Sequence, residues 1–294
     1  MQGSVTGRLR LVSSKLGAAM GLSSARRLAV AEDRDRVDSF VRQLRRYEAK
    51  YWISPALVPQ VRAAVTEFCR PDKHAHGDPP GYRIWTMQLD TAKLSLYHAR
   101  ARDALHRFKL RIRRYACEPS AQVILEIKRK LGGTVVKSRC RIAAGHLDPL
   151  RVLSPQVRPL VDSPDEAEAL QEFRRLMRDT GCRPVLTIRY FREAWTSVRD
   201  TYARVTFDGG LCYRPVHNAI DWRQDAVRWR PCAHVSPELR PDGVILELKA
   251  TEQVPIWMQD LVRRFDLNRR AVCKYALAIE AERRFLPQRG IAEW

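Results

Sequence analysis

The phrase Glu126-Ile127-Lys128-Arg129-Lys130 and its later echo Glu247-Leu248-Lys249 each set a carboxylate and an amine two residues apart. In a β-strand residues i, i+2 and i+4 share a face, so each phrase carries both charge signs on one side. Leu125 and Ile127, and Leu246 and Leu248, make the other side apolar. A single strand of this kind describes only a sheet with one wet face, but the pattern recurs. Arg107 to Arg113 alternates without a fault and puts Lys109, Arg111 and Arg113 with Arg107 on one face. Val136 to Arg141 does the same with Lys137, Arg139 and Arg141, and Ala203 to Asp208 with Arg204, Thr206 and Asp208. Near the start Glu48, Lys50 and Trp52 lie opposite Tyr51 and Ile53. Cations facing one way on neighbouring strands repel each other, so something anionic must offset them.

The economical arrangement is an α+β fold: a closed antiparallel β-barrel forming a tunnel, its charged faces lining the lumen around a polyanion. The apolar outer faces then need helices packed on the outside. Leu57, Val61, Ala64, Val65 and Phe68 have helical spacing, as do Leu170, Phe173 and Met177, and Val254, Trp257, Met258, Leu261, Val262 and Phe265. A further helix is expected from Ala271 to Arg284, with Lys274 facing solvent unless a ligand claims it.

The net charge of +20 points to an anionic partner, but 43 of the 53 basic residues are Arg, a skew that coding bias alone can produce. The lysines are the sharper signal. Seven of the ten (Lys50, Lys109, Lys128, Lys130, Lys137, Lys249 and Lys274) fall in the strand phrases or the last helix. A Lys kept where Arg is the default marks a place for a compact point charge. No apolar run approaches the ~20 residues that span a bilayer, and seven scattered cysteines without C-x-x-C spacing read as reduced thiols of a cytoplasmic protein. His74 and His76 sit among turn-forming residues and read as a solvated loop.

Residues 1–38 are expected to be a basic tail too broken for a secretory signal, and residues 39–294 the tunnel domain. Leu150 to Asp165 reads as a connection and Arg214 to Asp242 as an irregular insertion. Gly132 to Ser138 superficially suggests a P-loop, but Val136 stands where the second glycine of G-x-x-x-x-G-K-[ST] is needed. With no kinase or dinucleotide signature either, phosphates must be held by side chains.

In chain order, Tyr47-Glu-Ala-Lys50-Tyr51, Leu89-Asp90-Thr91 running to Tyr97-His-Ala-Arg100, Lys109-Leu-Arg111-Ile-Arg113-Arg-Tyr115 and Leu125-Glu-Ile-Lys128 come first. Val136-Lys137-Ser-Arg139, Tyr190-Phe-Arg192, Arg204-Val-Thr-Phe-Asp208, Leu246-Glu247-Leu-Lys249 and Cys273-Lys274-Tyr275 follow. This set, over roughly residues 40 to 280, resembles the VTC domain, the polyphosphate polymerase domain of vacuolar transporter chaperone proteins in the triphosphate tunnel metalloenzyme superfamily. Two places depart from the usual pattern: Met87 to Thr91 replaces an aromatic-rich strand, and Cys273 stands where a Ser commonly precedes Lys-Tyr.

The resemblance implies transfer of the γ-phosphoryl group of ATP onto a growing inorganic polyphosphate chain, with pyrophosphate as a primer and Mn²⁺ or Mg²⁺ as cofactor. Lys128, Lys137, Arg204 and Lys274 are the expected catalytic cations, and Lys50, Arg100, Arg111, Arg113 and Arg192 the substrate-holding ones. Glu247 is the implied metal ligand, with Glu126 and Glu48 as further candidates; Asp208 is expected to orient Arg204. Lys109, Lys130 and Arg139 exceed what one triphosphate needs and favour a long product path. Two rivals stay open: a triphosphatase or nucleotide cyclase on the same scaffold, and a polyanion binder. For the binder, carboxylates set among the cations speak against nucleic acid as the specific partner. Whether a membrane protein receives the product is not written in the sequence.

Overall fold

A computed structural model describes residues 46–115, 122–132, 134–144, 152–200, 202–216, 228–232, 242–251 and 253–285. The tail 1–38, most of the insertion 214–242 and part of the connection 150–165 lie outside the described residues. Ten strands form one antiparallel sheet: β1 (Arg46–Ile53), β2 (Cys69–Pro71), β3 (Gly81–Asp90), β4 (His106–Tyr115), β5 (Gln122–Leu131), β6 (Thr134–Ala143), β7 (Arg183–Ser197), β8 (Ala203–Pro215), β9 (Arg230–Pro231) and β10 (Val244–Thr251). The main order is β1-β10-β8-β7-β3-β4-β5-β6, with β2 pairing β7 and β9 pairing β8. The ladder is a path and not a ring: among the described residues β1 and β6 share no register, so the sheet curls as an open half-barrel where a closed ring was expected.

Among the described residues five α-helices accompany it: α1 (Val58–Thr66), α2 (Ser95–Ala101), α3 (Pro164–Thr180), α4 (Ile256–Arg264) and α5 (Lys274–Phe285). None is long and apolar enough to cross a membrane. Their ends follow local chemistry. Pro164 opens α3, Asp165 and Glu166 sit in its first turn against the positive helix pole, and Gly181 ends it at φ +65°. The glycine-rich segment that mimicked a P-loop is the β5–β6 hairpin: Leu131 faces Thr134, Gly132 turns at φ +59°, and Lys137 lies on β6.

Two apolar clusters cover the outside of the curl. Leu110, Ile112, Leu125, Ile127, Cys140 and Ile142 pack under Leu170, Phe173 and Met177 of α3. Tyr51, Ile53, Val205, Phe207, Leu246 and Leu248 pack under α1 and α4 through Val61, Val65, Met258 and Leu261. These are the outer helices that the spacing foretold. The C-terminal helix behaves differently. Tyr275, Leu277, Ala278 and Ile279 of α5 join Ile84, Leu186, Ile188, Tyr190 and Tyr213 in a third cluster. Those strand residues belong to the charged face: Ile84 pairs with Tyr115 and Tyr190, two places along from the Thr86–Arg113 pair. Helix α5 therefore occupies part of the concave side. Tyr213 reaches that side through a register shift in β8, where Gly210 takes φ +62° opposite Arg189 to Phe191.

Asp90, at the end of β3, ties these layers together. Its buried carboxylate accepts hydrogen bonds from the backbone N–H of Thr91 (2.7 Å), Leu96 (2.9 Å) and Tyr97 (2.9 Å) and from the Tyr275 hydroxyl (2.8 Å). It caps α2 and docks α5 at once. Asp90→Ala orphans these buried donors, each worth roughly 1–3 kcal/mol of desolvation. The expected result is a loss of about 3 kcal/mol or more in urea unfolding, against less than 0.5 kcal/mol for an exposed site such as Lys73→Ala.

Candidate functional site

Strand parity and register together write the charge map of the lumen as rows running across the sheet. On β4, β5 and β6 one row is Arg111–Glu126–Arg139 and the next is Lys109–Lys128–Lys137. On β1, β10 and β8 one row is Lys50–Glu247–Thr206 and the next is Glu48–Lys249–Arg204. The two walls face each other. Lys128 feels Glu48 and Lys50, and Lys137 feels Lys249 and Glu48, although these residues lie at opposite ends of the strand path.

Three buried carboxylates hold the cations. Glu126 is 1% exposed and meets Arg111, Arg139 at 3.2 Å and Arg113 at 3.7 Å. Burial pushes its pKa up, yet Arg111, Arg113 and Arg139 draw it down to about 2. Glu247 meets Lys249 at 3.0 Å, Lys50 at 3.4 Å and Arg192 at 3.8 Å, and stays well below the usual carboxylate range against the pull of burial. Asp208 takes both fork nitrogens of Arg192 and the amine of Lys274.

The lysine row is different. Lys109, Lys128 and Lys137 have no carboxylate partner among the described residues. Burial, opposed by Glu48 and reinforced by Lys50, Lys137 and Arg111, lowers the Lys128 pKa to about 8. Burial and Lys249 likewise lower that of Lys137. Nearby Arg111 Nε, Arg113 Nε and Arg204 Nε are buried donors without acceptors. Half-buried ammonium groups without a carboxylate, set beside buried guanidinium donors without an acceptor, are together a demand for anionic oxygen.

The expected site residues mostly converge here. Lys50, Arg111, Arg113, Lys128, Lys137, Arg139, Arg192, Lys274 and Glu48, Glu126 and Glu247 belong to the lumen network. Arg204 joins from β8, held by Asp72 at 2.9 Å and the Tyr82 hydroxyl at 3.2 Å, two partners missed from sequence because they arrive from a loop and β3. Asp208 orients Arg192 and Lys274 instead of Arg204, because Arg192 sits directly opposite it on β7. Three cations are spent elsewhere. Arg100 donates to the Ala271 carbonyl at 2.8 Å, Lys130 lies 3.5 Å from Asp103 at the rim, and Arg141 bonds Glu166 of α3 at 2.8 Å.

For a divalent metal the three carboxylates are not equal. Glu126 and Asp208 are enclosed by guanidinium and ammonium groups, a poor setting for a second cation. Glu247 is crowded as well, by Lys249 at 3.0 Å and Arg192 at 3.8 Å, but it shares Lys50 with Glu48, at 3.4 and 3.0 Å. Its two nearest cations are movable amines, where Glu126 and Asp208 are held by guanidinium groups. No group of three or more His, Cys, Asp or Glu comes together among the described residues. A pair of carboxylates fits an ion that takes its remaining ligands from phosphate and water.

Cys273, the departure from the usual Ser, precedes α5 and accepts the first helical hydrogen bond through its carbonyl. Its Sγ lies 3.2 Å from Lys109 Nζ. Burial raises its pKa, but Lys109, the Ala276 N–H and Arg100 outweigh burial and bring it to about 7. Cys69, Cys140 and Cys232 are pushed up to about 12 by burial. Iodoacetamide should therefore label Cys273 ahead of Cys69, Cys140 and Cys232, at a rate rising as pH climbs through 7, and Lys109→Met should slow it at pH 7. Mass spectrometry of timed aliquots checks both; equal labelling of Cys69 would contradict the arrangement.

The VTC domain matches this chain over residues 45–282. Among solved structures the chain is similar to the PH1819 protein from Pyrococcus horikoshii OT3, at 9% identity and a TM-score of 0.40, covering 82% of this chain and 99% of that one. No curated protein matches it. With most of its length inside that match, the chain belongs to the VTC domain family.

Proposed function

We propose that this protein is a polyphosphate polymerase that transfers the γ-phosphoryl group of ATP to the end of an inorganic polyphosphate chain, with a divalent metal as cofactor. The observation that carries this reading is the row Lys109–Lys128–Lys137, three adjacent strands each presenting an ammonium group without a carboxylate partner to the inside of a curled sheet. At an effective dielectric near 20, two like charges 4 Å apart cost about 4 kcal/mol. A string of phosphates relieves that repulsion along its whole length. Membership of the VTC domain family supports the same reading.

In the reaction a terminal oxygen of the acceptor chain forms a new P–O bond to the γ-phosphorus, and the bond to the β–γ bridging oxygen breaks, releasing ADP. The attacking oxygen is already anionic, so no general base is required. Charge spreads over the transferred oxygens in a loose transition state, and the protein's part is alignment and charge stabilisation. Arg111, Arg113 and Arg192 are fixed by Glu126 and Asp208 and present oriented N–H groups. Lys128 and Lys137 supply movable charges that follow the transferring group. Glu247 with Glu48 would hold Mn²⁺ or Mg²⁺, which when bound neutralises phosphate charge.

Purified protein given ATP, Mn²⁺ and a pyrophosphate primer should make acid-labile phosphate chains visible on urea gels. Release of orthophosphate without chain growth would reject polymerisation in favour of triphosphate hydrolysis. Lys128→Ala and Glu247→Gln should each lower chain synthesis by on the order of 100-fold, and Lys128→Ala should leave thermal stability equal or higher, since it removes a repelled charge.

Binding should also depend on pH in a defined direction. Lys128 is cationic below about pH 8 and neutral above it. Polyphosphate affinity should fall between pH 7 and pH 9, and Lys128→Arg, charged throughout, should flatten that fall. Fluorescence anisotropy with a labelled chain reads it; a pH-independent affinity in the wild type would remove Lys128 from the contact.

A further inference from the structure

Asp208 is 0% exposed, and its two oxygens are fully engaged. Oδ1 accepts from Arg192 Nε at 2.7 Å; Oδ2 accepts from Arg192 Nη2 at 2.7 Å and from Lys274 Nζ at 2.6 Å. The ring of Tyr190 lies against the same two cations, its centroid 4.6 Å from Lys274 Nζ and 5.6 Å from Arg192 Cζ. Arg192 also reaches toward Glu247 at 3.8 Å. A continuous chain of charges thus runs from the first residue of α5 to the carboxylates of β10 and β1.

We propose that Asp208 is the positioning residue of the phosphate site: it fixes Arg192 and Lys274 in the lumen and, through Lys274, makes the docking of α5 a condition for a complete site. Asp208 is fully buried and both its oxygens are turned to Arg192 and Lys274, so it is closed to a metal or a substrate and acts through its two partners. The bidentate fork consumes the Nε edge of Arg192 and leaves Nη1 to point elsewhere. Tyr190 supplies the floor that keeps both cations from swinging. An Asn at this place offers one acceptor oxygen, which cannot hold the fork and the amine together. Removing this anchor raises the net positive charge of the lumen while loosening its geometry. Ground-state attraction for an anion then holds or strengthens as alignment is lost.

What the anchored cations do rests on the polymerase reading, so the test has an arm that does not. In kinetics with ATP, Asp208→Asn should lower kcat by about 10–100-fold, as losing an outer partner does at metal sites, with KM for ATP unchanged or lower and part of the rate restored in Asp208→Glu. Lys274→Met combined with Asp208→Asn should cost no more than the worse single change. A kcat within twofold of wild type, or effects of the two changes that multiply, would overturn the proposal. In the second arm, ¹³C reductive methylation and NMR, with Lys274→Arg as the assignment control, should show the Lys274 resonance moved in Asp208→Asn and that of Lys73 unmoved. An unmoved Lys274 resonance would overturn it too. A wild type that makes no polyphosphate would sink the polymerase reading while the NMR comparison still judges Asp208. Should circular dichroism show Asp208→Asn unfolded, Asp208→Glu carries both tests: a lowered kcat with a moved resonance supports the role, and wild-type values for both reject it.

Discussion

Like-charge crowding inside a curled sheet is the constraint around which this molecule is organised. The lumen gathers cations from β1, β4, β5, β6, β7, β8, β10 and the start of α5. Left to themselves they would force the walls apart. Glu126, Asp208 and Glu247 prevent this, each buried and each shared among two or three cations. Buried ion networks contribute little net stability, since desolvation cancels most of the attraction. Their effect here is geometric, and the stability comes from the two outer apolar clusters and the inner one beneath α5.

The distribution of the unmatched charge is as informative as its amount. The Arg111–Glu126–Arg139 row alternates in sign, whereas the adjacent Lys109–Lys128–Lys137 row does not. On the facing wall, Lys50 and Lys249 find Glu48 and Glu247. One wall is therefore close to balanced and the other is strongly positive. An anion entering between them would meet a directional field rather than a uniform one, and the Glu48 and Glu247 carboxylates lie on the side where that field is weakest.

Much of this was legible in the chain because a strand's side-chain period is two, and a fault-free alternation such as Arg107 to Arg113 admits one assignment of faces. The family resemblance placed the same strands in order. What parity cannot give is which strand stands beside which. Asp208 shares a face with Arg204 in sequence but stands opposite Arg192 in the sheet, and the cross-strand neighbour took the carboxylate. The Gly209-Gly210 pair broke the pattern of β8, so its continuation to Pro215 and the inward turn of Tyr213 were missed. Helical spacing likewise identifies an apolar face but not the side of the sheet that receives it. Spacing alone leaves Lys274 on a helix with its amine free for solvent, and only the family resemblance draws it into the site; Asp90 and Asp208 fasten α5 to the concave side. Arg100, carried over by the resemblance, and Lys130, read from strand parity, meet local acceptors that neither signal reveals, the Ala271 carbonyl and Asp103.

The open ladder carries a mechanical corollary. Where a closed ring of backbone hydrogen bonds fixes its own bore, among the described residues β1 and β6 share no backbone ladder, and the charges that act across the curl there, Lys128 and Lys137 against Lys50, Lys249 and Glu48, are mostly cations. On the proposed function, a threaded phosphate string would turn that repulsion into attraction and serve as the missing seam. A filled channel would then be stiffer than a vacant one, with a grip that grows with the length of the polymer, a physical basis for holding a product instead of releasing it after every addition.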